Sequence, residues 1–239
     1  MALLTKSSQS DLNVNWCKYT RQGIVNHLTQ QLANVKSKRL TPLAFKSCIV
    51  TALQGYIPVR VAMRTRKFKD AARVKVGGCY YSDKDQAGQV CIELILLVRK
   101  NKAQRLTELV WNRVILLIAD TIMHEIIHMR QYRSRNFEYL SCFYNDTNHS
   151  KYYSSKDEIE AFAFNIACEL IDKLGPNYKS IIKVLSQPNV DFFSSLLADY
   201  YRRFGPLHPV RLSLNRQIIK NIKPASVGKP FFRSKYLTR

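Results

Sequence analysis

No C-x-x-C pair occurs among the six cysteines, Cys17, Cys48, Cys79, Cys91, Cys142 and Cys168, so neither a zinc knuckle nor a small disulfide framework is indicated. Their scatter predicts reduced, packed thiols in a cytosol-like compartment. Long apolar runs are also missing: "LILLV" and "VILLIA" fall far short of the ~20 residues that a helix needs to span a bilayer. The opening "MALLTKSSQSDLNVNW" lacks the apolar stretch and small-residue cleavage site of a signal peptide, so a soluble, cytoplasmic chain without a membrane partner is expected. Internal repeats and low-complexity blocks are absent too. What is present, 239 residues of which 46% are hydrophobic, suffices for one substantial core. One domain is expected over residues 1–222, followed by a flexible basic tail over 223–239.

Acids are scarce, and their scarcity is local. Residues 1–69 hold twelve Lys/Arg against Asp11 alone, residues 70–199 hold sixteen of each sign, and residues 200–239 hold ten Lys/Arg and no acid. The whole net charge of +21 therefore comes from the two flanks, around a neutral core of residues 70–200. Clusters such as "RTRKFK" present positive charge to phosphates, which makes nucleic acid or another polyanion a candidate partner. A solvated basic face with a disordered tail explains the same numbers.

The pattern begins helical. "GIVNHLTQQLANV" has apolar residues at helical spacing, and Thr41-Pro42 offers an N-cap followed by proline at the first helical position, with Gly55 as a stop. The period then changes in "IPVRVAM", "ARVKVGGCYYS" and "QVCIELILLV", with the turn chemistry of "DKDQAG" between the last two. A small, mainly antiparallel sheet ending in a hairpin is expected. From Gln104 to Arg133 the spacing of Leu106, Leu109, Val110, Val114 and Leu117 is helical again.

That helix carries "TIMHEIIHMRQYR". His124 and His128 fall one turn apart on one face, so both imidazoles can reach one cation, and Glu125, rotated by roughly 100°, can reach a water beside it. Zinc hydrolysis uses this spacing: nitrogen ligands hold Zn2+, and the neighbouring glutamate serves as general base. The bare pattern arises by chance in roughly one chain in a hundred of this length, so the spacing alone does not decide. A third ligand is needed. "SSKDEIEAFAFNIACELIDKL" supplies two candidates, Glu158 and Glu160, inside the first turns of an otherwise apolar helix. The competing reading keeps both as exposed acids that favour the positive end of the helix.

A strand hairpin, a helix with H-E-x-x-H and a second helix opening E-x-x-A resembles the gluzincin group of zinc metallopeptidases. "HEIIHMRQYR" followed by "DEIEAFAFNIA" is most similar to peptidase-like proteins of tailed bacteriophages, over roughly residues 72–172. The resemblance implies an α+β zincin-like domain, His124 and His128 as metal ligands, Glu125 as general base and "QVCIELILLV" as the edge strand that aligns a peptide substrate. It implies Glu158 over Glu160 as third ligand, since related peptidases place theirs three residues before an alanine. Phe162 departs from the pattern, standing where an acidic or amide residue often follows that alanine. If the chain is phage-encoded, host cytoplasm or the virion is implied.

Asp120, one turn before His124, could orient that ring or could be a solvated helix acid. Tyr152, Tyr153, His149 or His208 could donate to a transition-state oxyanion or serve packing alone. His27 has no partner in view. A nucleic-acid-associated structural protein that keeps the fold without catalysis is the alternative function, and a protease acting on DNA-bound proteins would unite both features.

Overall fold

The computed structural model describes residues 16–35, 38–66, 74–99, 104–105, 107–138 and 149–226. Expectations for the opening segment, the end of "RTRKFK", Leu106, Cys142 and the chain beyond Ser226 lie outside these residues. The chain divides into two compact units, Met1–Met129 and Arg130–Arg239.

The first unit opens with α1 (Arg21–Gln31), where Thr20 Oγ1 accepts from the Gly23 N–H at 3.0 Å. After β1 (Arg39–Leu40), the Thr41-Pro42 pair starts α2 (Pro42–Leu53) as its chemistry predicts: Thr41 Oγ1 accepts from Ala44 N–H at 3.2 Å, and Gly55 follows with φ of +75°. Ile24, Leu28 and Ile49 are fully buried. His27 stacks on Tyr56 with centroids 3.9 Å apart, and its Nε2 lies 2.7 Å from the Ala52 carbonyl, so this histidine is spent on packing.

β2 (Arg60–Arg66), β3 (Val74–Tyr80) and β4 (Ile92–Arg99) form a three-stranded sheet in the order β2-β4-β3. β3 and β4 are antiparallel and joined through the single turn α3 (Ser82–Gln86), as the hairpin reading requires. Two expectations fail. The sheet is mixed, because β2 runs parallel to β4, and strand direction leaves no mark on a residue pattern. β4 is the central strand and not an edge, with β2 and β3 paired along its two sides. The edges of this sheet are β2 and β3.

The helix expected from Gln104 starts later. β5 (Gln104–Arg105) pairs antiparallel with β1, and α4 (Glu108–Arg133) begins after Thr107, whose Oγ1 accepts from Val110 N–H at 3.4 Å. Trp111, Val114, Ile115, Ile118 and Ile122, at steps of three and four, bury one face, with Trp111 against Phe45 at 5.4 Å. The division between the units falls inside α4, whose last turn belongs to the second unit.

The described residues of the second unit form α5 (His149–Ser154), α6 (Lys156–Leu174), α7 (Tyr178–Leu185), α8 (Ser195–Arg203) and α9 (Pro209–Ser226). Its core joins Ile166 and Leu170 of α6 to Ile181, Leu197, Leu214 and Ile218. α6 starts at the expected serine cap and ends at Gly175, with φ of +68°. α9 runs to Ser226, so the first residues of the expected tail are helical. Cys48, Cys79, Cys91 and Cys168 are thiols. Among the described residues no helix is long and apolar enough to cross a membrane.

Candidate metal centre

α4 is helical through the whole of "HEIIH", so the two histidines fall one turn apart on one face. Their Nε2 atoms are 3.0 Å apart, with ring planes at 81°. Two ligands bonded at 2.0–2.1 Å in tetrahedral geometry would stand about 3.3 Å from each other, so the imidazole pair is spaced to share one cation. His124 is 7% exposed and Glu125 6%, while His128 is partly open.

Buried beside the pair, Glu125 has its carboxylate against β3. A Cβ added at Gly78 would lie 2.7 Å from Glu125 Oε1, 2.8 Å from its Cγ and 2.7 Å from Thr121 Cγ2. Only glycine lets this strand run so close to α4 at the carboxylate. By residue pattern alone Gly78 reads simply as part of a strand. A glycine inside a β-branched run is the usual sign of close backbone approach, so the signal was present in the sequence.

The start of α6 holds the remaining donor. Ser155 caps the helix, its Oγ accepting from the Glu158 N–H at 3.3 Å. S-K-D-E thus also fits a capping box, in which glutamate at the third position would serve the helix end. The surroundings separate the two acids: Gln131 Nε2 donates to Glu160 Oε2 at 3.1 Å and to the Asp157 carbonyl at 3.1 Å. Arg135 grips the Asp157 carboxylate through both terminal nitrogens, at 2.9 and 2.7 Å. The last turn of α4 is thereby tied to the first turn of α6, within the second unit. Gln131 is three residues after His128, on the same side of the helix.

Ligand atoms of His124, His128 and Glu158 all lie within 4.8 Å of one another, and the group could hold a metal ion. Two imidazoles and a carboxylate suit a borderline divalent cation. Glu160 is engaged by Gln131 instead.

The other candidates have visible occupations. Asp120 forms an ion pair with Arg21 of α1, whose Nη2 is 3.4 Å from Asp120 Oδ2. Tyr153 stacks on Phe162 at 5.3 Å, and Tyr152 and Tyr200 meet the same rings edge-on. Phe162 is therefore part of an aromatic cluster. Burial, reinforced by the charge of Glu158, pushes the Tyr200 phenol well above its ordinary range, and burial raises that of Tyr153 against the pull of Arg203. His208 caps α9, its Nδ1 accepting from Val210 N–H at 3.2 Å, and packs on Phe204. His149 is the first residue of α5. Comparison of the chain with protein-family models, curated proteins and solved structures finds no match.

Proposed function

We propose that the chain is a zinc-dependent metallopeptidase of the gluzincin type, with His124, His128 and Glu158 as ligands and Glu125 as general base. The observation that carries this reading is the convergence of those three ligand atoms next to a buried glutamate that is not one of them. A purely structural site has no use for such a base. Zinc would supply Lewis acidity there, polarising a scissile carbonyl and bringing the pKa of water toward ~7.

The chain's own residues do the rest. Glu125 takes the proton from the attacking water and returns it to the leaving amine, a role typically contributing 10²–10⁴-fold. Gly78 leaves room for its carboxylate, and Gln131 keeps Glu160 away from the ligand set. β3, an edge strand of the sheet that passes Glu125, offers its outer backbone for an extended peptide to add to.

Elemental analysis of purified protein tests the centre. About one zinc per chain is expected in the parent, with loss in His124→Ala and Glu158→Ala and retention in Glu160→Ala. Unchanged metal content in His124→Ala removes the site. Glu125→Gln should keep zinc and lose at least ~100-fold in hydrolysis of a denatured protein, because an amide cannot accept the proton. A zinc-loaded parent that cleaves neither peptides nor unfolded protein favours the second reading, a nucleic-acid-associated structural protein, which the charge of +21 supports.

A further inference from the structure

The two faces of the β2-β4-β3 sheet differ in cover. Along β4, Ile92, Leu94, Leu96 and Val98 are at most 3% exposed, whereas the alternate residues Ile95 and Leu97 are only half-buried. Gly78, paired with Leu94, is the position that meets α4, so the well-covered side is the α4 side. Among the described residues the opposite side is less completely covered.

Register sets what that side presents. Arg64 and Lys75 pair with Leu97 from its two sides, and both are exposed; two strand spacings place their backbones about 9.5 Å apart. In the next row Ile95 is flanked by Ala62 and Gly77, which keeps the floor low. One row further, Arg60 is 67% exposed and lies 3.5 Å from Glu93. Glu93 is the only acid in the three strands, and its side chain is 12% exposed. Its charge is answered by Arg60 and by the Tyr81 hydroxyl, which donates to it at 3.1 Å. The face is thus a shallow apolar strip bordered by cations.

We propose that this less covered, cation-bordered face binds single-stranded nucleic acid. Phosphates would meet Arg60, Arg64 and Lys75, and unpaired bases would lie on the strip of Ile95 and Leu97, a surface that a duplex, with its base faces stacked inside, cannot use. The net charge of +21 draws a polyanion to the molecule, and the register sets three of the cations along one sheet face. None of the three strands contains Asn or Gln, the side chains that read adenine edges, so binding is tolerant of sequence. This surface is independent of the metal centre.

Anisotropy of fluorescein-labelled oligothymidylate, titrated with full-length protein across a potassium chloride series, tests the proposal. The parent should bind with affinity falling steeply as salt rises. Arg64→Ala/Lys75→Ala removes two phosphate contacts, so the log-log salt slope should shrink by about 1.4 and affinity should drop on the order of tenfold at physiological salt. Arg216→Ala/Lys220→Ala, on the exposed side of α9, removes the same charge elsewhere and should retain the parent's slope. Circular dichroism melting checks that both variants fold. Absent binding, equal losses in the two double variants, or a sheet variant that binds as the parent does overturns the assignment. Duplex of the same length bound as tightly as the single strand overturns it as well.

Discussion

A methyl group at position 78 would occupy the space in which the Glu125 carboxylate sits, at 2.7 Å from Oε1. Gly78→Ala must therefore push either β3 or the carboxylate aside, and the side chain is the softer of the two. Overpacking of this kind costs about 1–3 kcal/mol. If the proposed function holds, the variant should keep the parent's metal content, since the three atoms nearest the added one belong to Glu125 and Thr121, and should show kcat reduced more than tenfold with KM little changed. Separate measurement of kcat, KM and metal content checks this; parent-like kcat would show that the base tolerates displacement. His27 illustrates the opposite case, a histidine wholly accounted for by Tyr56 and the Ala52 carbonyl.

Helix ends were the most legible elements, because capping is local chemistry. Thr41-Pro42 and the serine pair before α6 both start helices where their side chains dictate, and Gly55 and Gly175 take up the positive φ that a terminating glycine permits. Ser155→Ala removes the bond to the Glu158 N–H and should destabilise the protein by about 1 kcal/mol, read as a lower urea midpoint, with the parent's metal content kept. Loss of metal in that variant would show that the cap also holds the ligand. The shared face of the histidine pair was equally legible from helical spacing, and their side chains bring the two Nε2 atoms to 3.0 Å. What the residues did not reveal depends on partners distant in sequence. β4 reads as apolar whether central or at an edge, its parallel pairing with β2 has no local signature, and the separation of Glu158 from Glu160 rests on Gln131, more than twenty residues upstream. Thr107 carries a legible signal, a threonine before a helical run, but the apolar spacing that starts near Gln104 masks it.

At the scale of the whole molecule, a net charge of +21 works against compactness through mutual repulsion, and also invites polyanions. Some of this charge is locally answered, as in Arg135 with Asp157 and in Arg202 with Asp191 and Asp199. The Arg202 pairs are exposed and contribute little, and salt weakens them further. Repulsion among the unanswered cations is screened by the same salt, as the Debye length falls from about 10 Å at 0.1 M to about 3 Å at 1 M. With 38 Lys/Arg against 17 Asp/Glu, cations outnumber the acids that could pair with them, and relief of repulsion should win. Stability should therefore increase with potassium chloride, seen as a urea midpoint that climbs steadily from low to moderate salt, while affinity for oligothymidylate declines over the same range. These opposite responses separate folding from binding in a single set of buffers. A midpoint that falls with salt would mean that paired charges, and not the basic excess, dominate the electrostatics of the folded chain.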